Sequence, residues 1–466
     1  MTTLVGLDIG TTGVKALALS EDGTVVGTAE EEYPLSVPRP GWSEQDPDHW
    51  LRAAARALER LGAEGQPVGL SGQMHGLVAL DAEQNVLRPA ILWNDQRTVA
   101  ECAEIAERIG LDRLLSLTGN RALPGFTAPK VLWLRRHEPD VYSRIAHVLL
   151  PKDYVRLKLF GDLATDMADA SGTLLFDVAR RRWSEEVLAA LEIPREWLPP
   201  VAESSEVAGA GDQAAGAVGV GVHSPGPVSV VLGTSGVVFA PLERFAADPA
   251  GSAHVFCHAL PGRWHAMGVM LSAAGSLSWF RGTFAPEAPY DRLDAEAAAW
   301  DPGAEGLLFA PYLAGERTPH ADPAARGAFV GLSLHHDRGA VVRAVLEGVA
   351  YALRDSLELL RRLGCAADVG RVSGGGARSE LWLRILASVL GLPLQRTAVE
   401  EGAAYGAALL GGVASGVYRD VPEAVAACVR VRDEIEPDRE WEQVYADGYE
   451  RFRGVYPALR PLHRLP

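Results

Sequence analysis

The 466-residue sequence predicts an α/β protein built from two related halves, and three observations carry that prediction. Apolar strand-like runs alternate with amphipathic helical stretches along the chain. The length exceeds what a single hydrophobic core usually holds. The opening stretch "LVGLDIGTTGVKALAL" (Leu4 to Leu19) is echoed by "VSVVLGTSGVVFAPL" (Val228 to Leu242). In each, an apolar strand runs into Gly-Thr-Thr/Ser-Gly-Val and a second strand returns, a repeat placed at the start of each half. The Pro- and Gly-containing break "HSPGP" near Ser224 gives expected domains 1–223 and 224–466.

The elements follow in order. Leu4 to Ile9 reads as a buried strand, Gly10 to Gly13 turns the chain, and Asp22-Gly23 is a hairpin signal before a third strand. "QDPDHWLRAAARALERLG" reads as a helix capped by Asp46, with Pro47 in its first turn and Gly62 at its stop. Trp50, Leu51, Ala54, Leu58 and Leu61 form its inward stripe. "PVGLSG" and "LVALD" read as strands, helices are expected over 96–109 and 128–137, and "HVLL" feeds a helix opening at Pro151. The second half carries a long amphipathic helix over 340–363. There too, "VSGGGARSELWLRILASVLG" reads as a glycine turn feeding a helix, and "EGAAYGAALLGGVASG" as a small-residue helix suited to close packing. "EVAGAG", just ahead of Asp212, has no apolar alternation and makes a poor strand.

Composition excludes several function classes. Hydrophobic residues make up 48% and charged residues 22%, as in ordinary globular proteins. Lys plus Arg total 44 against 60 Asp plus Glu, a net charge of −16, which disfavours nucleic acid or an anionic membrane as partner. No secretory signal is evident, and no run of about 18 apolar residues predicts a membrane span. The scattered Cys102, Cys257, Cys365 and Cys428 read as reduced thiols of a cytoplasmic protein.

The two Gly-Thr turns are the first candidates for chemistry. Backbone N–H groups and hydroxyls of Gly10, Thr11 and Thr12, and of Gly233, Thr234, Ser235 and Gly236, can donate to phosphate oxygens where no Cβ blocks approach. Either turn alone reads equally well as an ordinary hairpin; the pair points to a nucleoside triphosphate such as ATP. A P-loop and a complete dinucleotide fingerprint are both absent, so the site belongs to the actin-like kind. Asp8, two residues before the first turn, suits a direct or water-mediated Mg²⁺ ligand. Gly374, Gly375 and Gly376 with Arg378 offer a flat backbone for a purine, or else a plain glycine connection. Gln73, Met74 and His75 close a strand, where α/β sheets commonly bind ligands. "HVFCH" (His254 to His258) lacks a second ligand pair at zinc spacing and is read as structural.

Taken together, these stretches resemble the FGGY family of carbohydrate kinases nearly end to end. "GFTAPKVLWLRRHEP", with Lys130 and Trp133, and "GAFVGLSLHHDRGAVVRAVLEG" are similar to its two signatures, Ala340 standing where a polar residue is usual. "GWSEQDP", "GQMHG", "RPAILWNDQR", "LPKDYVR", "HVFCHALPGRW" and "LAGERTPH" place it among the kinases of ketopentoses. The resemblance implies two ribonuclease-H-like (actin-like ATPase) domains with a ligand cleft between them, and phosphorylation of D-xylulose by Mg-ATP. It implies Asp212 as general base, Asp8 and Asp212 as the carboxylates near Mg²⁺, and Met74, His75, Gln73 and Gln213 as sugar contacts. Lys15, on the strand after the first turn, joins the nucleotide-side set. Gln213 departs from the usual Asn, and the segment ahead of Asp212 is shorter than in relatives. Another ketose such as ribulose is the nearest alternative substrate. From a different class, an actin-like ATPase or sugar-responsive regulator would share the turns but would not need Asp212. A homodimer is among the expected assemblies.

Overall fold

The same strand plan appears twice in the computed structural model, which describes residues 2–400 and 402–463. In the first half β1 (Leu4–Ile9), β2 (Gly13–Leu19) and β3 (Val25–Glu32) form an antiparallel meander. β4 (Val68–Gly72) and β5 (Gly209–Gly211) join in parallel, giving the order β5-β4-β1-β2-β3. In the second half β6 (Gly226–Leu232), β7 (Gly236–Leu242) and β9 (Trp264–Met270) repeat the meander, with β8 (His254–Cys257) on its outer side. β10 (Ala367–Ser373) and β11 (Leu394–Thr397) then join in parallel, and β12 (Val431–Ile435) completes the order β8-β9-β7-β6-β10-β11-β12. The expected α/β class is observed, and the repeat of the two Gly-Thr turns is a repeat of sheet topology.

Helix boundaries follow local chemistry. α1 (Pro47–Leu61) is capped by Asp46, whose side chain accepts from Asp48 N, and Gly62 ends it at φ 60°. Its fully buried residues are Pro47, Trp50, Ala53, Ala54 and Ala57, whereas Leu51, Leu58 and Leu61 sit half-buried at its edge. The helix expected from residue 96 begins at Val99, because the Asp95 carboxylate accepts from both the backbone and the guanidinium of Arg97 and holds that stretch as a turn. α2 (Thr127–His137) and α3 (Pro151–Phe160) lie where the sequence placed them, to within a residue.

"EVAGAG" corrects the sequence reading. Its last three residues are a strand, β5, paired in register with β4. Its small residues reflect close approach rather than strand propensity: a Cβ on Gly209 would lie 2.8 Å from Leu70 O, and one on Gly211 2.8 Å from Met74 Cγ. α4 (Asp212–Gly219) starts immediately afterwards. In the second half α5 (Ala274–Phe284) follows the meander, and α6 (Arg338–Arg362) forms the long helix, with Asp337 accepting from Ala340 N. α7 (Glu380–Leu390) packs on α6.

α8 (Gly402–Ala414), although it comes from the second half, covers β1 and β4 of the first sheet and crosses α4. The contact is backbone on backbone: a Cβ on Gly406 would lie 1.8 Å from Ala215 O, and one on Gly69 1.7 Å from Ala407 O. Glycine is required there by space alone. A Gly406→Ala substitution should therefore separate α8 from α4 and cost about 1–3 kcal/mol of stability. Denaturant unfolding measures this directly, and an unchanged midpoint would contradict the close approach.

Candidate active site

Three parallel strands of the first sheet end side by side, and the sequence-predicted residues of that half gather at those ends. β1 ends at Ile9 and β4 at Gly72, which is its register partner; Gly72 in turn pairs with Gly211, the end of β5. Asp8, the turn 10–12, residues 73–75 and Asp212 are thus carried to one edge by strand pairing alone. Asp212 opens α4 and is half-buried beside that edge. Burial and then the Asp8 carboxylate push its pKa up to about 7, against hydrogen bonds from the backbone and side chain of Gln213. Gln213 is therefore engaged with the carboxylate it follows. Asp8 is raised too, chiefly by burial; a 3.0 Å hydrogen bond from Ser71 Oγ and the charge of Lys15, its register partner, work against that. Two partly desolvated carboxylates, both raised by burial and one raised further by the other, form a donor set suited to a hard divalent cation, which prefers oxygen ligands.

The first Gly-Thr turn is held from behind. Tyr33 OH donates to Gly10 O at 2.5 Å, Gln73 Nε2 to the same oxygen at 3.2 Å, and Gln45 Nε2 to Thr11 O at 2.6 Å. Gly10 N donates across the turn to Gly13 O at 3.0 Å, so with the carbonyls tied back the outward donors are the N–H groups of Thr11 and Thr12. Gln73 is buried and also donates to Gln45 Oε1 at 3.1 Å, so it braces the turn instead of opening onto the cleft. Trp93 Nε1 fixes Thr11 Oγ1 at 3.0 Å.

His75 has φ 68°, a costly conformation for a non-glycine residue, and two neighbours hold it there. Lys130 Nζ donates to His75 O at 2.8 Å and to Gly125 O at 2.6 Å, while Thr127 Oγ1 donates to His75 O at 3.1 Å. His75 Nδ1 lies 2.6 Å from Gly172 O. Because a carbonyl only accepts, Nδ1 carries the proton; burial keeps the ring neutral, so Nε2 is left as an acceptor. Met74 is buried against Gly211 and Gly172.

Lys152, on α3, forms a buried charge cluster behind this edge. Its Nζ lies 2.5 Å from Asp153, 2.7 Å from Asp166 and 3.1 Å from Asp169, all buried. These three acids are the one convergent metal-type group among the described residues, and an ammonium already occupies the space between them. A Cβ on Gly211 would lie 3.3 Å from Asp169 Oδ1, so the cluster backs directly onto the β5–Asp212 junction.

In the second half the turn 233–235 is bound to the start of α5: Ala273 N donates to Thr234 O and Ala274 N to Gly233 O, both at 2.8 Å. Gly374 and Gly376 pack against Leu232 and Gly233 so closely that no Cβ fits. Beside them opens a cavity of about 710 Å³, lined by Thr234, Gly375, Arg378, Tyr290, Asp294 and Trp382 among others. Asp294 was not singled out from the sequence; its Oδ1 is buried without a partner. Arg378 pairs with Glu400 at 2.9 Å, and both line a smaller cavity of about 200 Å³ with Lys15 of the first half. "HVFCH" runs as β8 rather than a ligand loop: His254 Nδ1 meets Asn120 Oδ1 at 2.8 Å, and His258 Nε2 lies 3.2 Å from Val222 O.

Comparison with known proteins agrees with this geometry. Residues 3–240 match the N-terminal domain, and 228–415 the C-terminal domain, of the FGGY family of carbohydrate kinases. The xylulose kinase of Escherichia coli K12 is 44% identical over 98% of this chain and 99% of its own length. That of Bacillus subtilis is 36% identical over 99% and 98%. A crystal structure of a Brucella ovis kinase described as acting on xyloylose superposes with a TM-score of 0.93 at 42% identity, covering 99% of this chain and all of that one. The chain belongs to the FGGY family of carbohydrate kinases.

Proposed function

We propose that the protein transfers the γ-phosphoryl group of ATP to O5 of D-xylulose, giving D-xylulose 5-phosphate and ADP. The observation that carries the reading is the placement of Asp212 beside Asp8, at the strand ends next to the Met74–His75 edge and the first Gly-Thr turn. The relatives named for that sugar support the substrate.

In this reading Asp212 accepts the proton of the sugar's O5 hydroxyl as that oxygen bonds to the γ-phosphorus and the bond to ADP breaks. His75 Nε2 accepts from another sugar hydroxyl, and Met74 forms the apolar floor. The N–H groups of the two Gly-Thr turns hold the phosphates, with Lys15 and Arg378 near the nucleotide. Asp294 and Tyr290 flank the nucleoside. Asp8 and Asp212 would hold Mg²⁺, which supplies charge neutralisation on the phosphate oxygens when bound. The halves 1–223 and 224–466 act as the sugar-side and nucleotide-side lobes. Action in the cytoplasm is supported by four cysteines that form no disulfide; a homodimer is the proposed assembly. Among the described residues no helix is long and apolar enough to cross a membrane.

An ADP-release assay across pentuloses should give the highest kcat/KM for D-xylulose; a clear preference for ribulose reassigns the substrate. Asp212→Ala should lower kcat by about 10²–10⁴-fold while leaving ATP binding intact. Near-normal turnover would remove Asp212 from the reaction. The base must be ionised, and its pKa is raised to about 7, so kcat/KM should fall as pH drops through that value. An acidic limb centred near the ordinary carboxylate value of about 4 would show that Asp212 does not feel burial and Asp8 in solution.

A further inference from the structure

Beyond the sugar contacts already named, one cation from the other half of the chain reaches the His75 side of this edge. Arg317 lies in "LAGERTPH", after β9 and before α6. Its neighbours are pinned to the end of β9. Glu316 Oε1 accepts from Leu271 N at 3.1 Å and from Arg317 N at 2.7 Å. Thr318 Oγ1 accepts from Val269 N at 3.0 Å and donates to Ser252 O at 2.9 Å. The backbone is thus held on both sides of Arg317, and its side chain reaches toward the first half. A Cβ placed on Gly125 would lie 3.3 Å from Arg317 Nη2 and 2.7 Å from Trp93 O.

Gly125 is the residue whose carbonyl Lys130 ties to the His75 loop. The neighbours along this edge therefore run Asp212, Met74, His75, then Gly125 with Arg317. The charge pattern agrees with that order. Arg317 is among the groups that keep His75 and His254 neutral, whereas Asp212 is shifted by burial and Asp8. Phe126 stacks edge-on with both histidines and completes an aromatic wall between them.

The backbone N–H of Arg317 is hydrogen-bonded to Glu316 Oε1; among the described residues its guanidinium makes no side-chain hydrogen bond or ion pair. Its sequence neighbour Glu316 is only a weak counter-ion: burial lifts that carboxyl to about 8 despite the charge of Arg317, and its Oε1 is taken by backbone N–H groups. Arg317 is half-buried and burial disfavours its charged form, so a ligand with several acceptor oxygens would complete its surroundings. The planar fork of Arg suits adjacent oxygens better than the single ammonium of Lys does.

We propose that Arg317 is a substrate-binding residue, whose guanidinium donates to the C1 and C2 oxygens of the ketose, at the end opposite the hydroxyl that Asp212 deprotonates. The proposal rests on the ketose-kinase reading given above. It makes one substrate molecule touch both halves, so that sugar binding itself favours a closed cleft.

The experiment compares wild type, Arg317→Ala and Arg317→Lys with D-xylulose and with its 1-deoxy analogue. Both variants should raise KM for D-xylulose, the alanine form by about 10- to 100-fold, with KM for ATP and sugar-independent ATP hydrolysis unchanged. Wild type should discriminate against the 1-deoxy sugar and Arg317→Ala should not, because the group that reads O1 is gone. Should Arg317→Ala fold poorly, Arg317→Lys keeps the charge, loses the fork and carries the same comparison. An unchanged KM for D-xylulose, or undiminished discrimination in the variants, overturns the assignment of Arg317 alone. Absence of ketose turnover in wild type overturns the kinase reading and this proposal with it.

Discussion

The contact of α8 with α4 and the first sheet is the constraint on which the remaining geometry depends. α4 begins at Asp212, so whatever fixes the helix fixes the carboxylate. Its Ala215 carbonyl lies against Gly406, and Gly219 lies against Gly402, at distances that admit no side chain. Burial of apolar area contributes little specificity where the two helices touch, because the facing residues there are Gly and Ala. Position is set by hard contact between backbones, which tolerates much less displacement than a packed pair of leucines. Ladder pairing of β5 and the buried Lys152 cluster add two further restraints from the other side.

Around that frame the protein concentrates electrostatic cost at one edge. Asp8 and Asp212 are brought together without a protein cation of equal strength, and Arg317 has beside it only the carboxyl of Glu316, which burial lifts to about 8. Lys130 and Lys152, by contrast, are fully engaged, one with carbonyls and one with carboxylates. The division separates groups that hold the site's shape from groups left with binding capacity. Charges that would be destabilising in isolation are a common mark of a ligand site, since the ligand completes their coordination.

Much of this was legible in the sequence. The repeated Gly-Thr turns gave away the repeated sheet plan, because strand, turn and strand are contiguous and carry a local pattern. Asp8, Met74, His75 and Asp212 could be nominated for the same reason: each lies at or just past the end of a strand. Gln73 was nominated on that logic too, yet its side chain points behind the turn, a direction that strand position alone does not specify. Asp294 and Arg317 were missed as site residues, since their roles come from contacts across long sequence separations. β5 was undervalued because propensity scales reward β-branched residues, whereas this strand needed the absence of side chains. The poor strand that seemed to leave Asp212 loosely held is tightly held for the very feature that made it look poor.

The crossing of α8 also bears on how the chain is made. Residues up to Gly219 supply every strand of the first sheet, but the helix that covers β1 and β4 is not synthesised until Ala414. At about 5–20 residues per second, roughly ten to forty seconds pass between the two during translation. Through that interval a nearly complete sheet stands with one apolar face uncovered. The two halves are thus repeats in architecture without being independent folding units, and the nascent first half depends on shielding until the far end of the chain arrives.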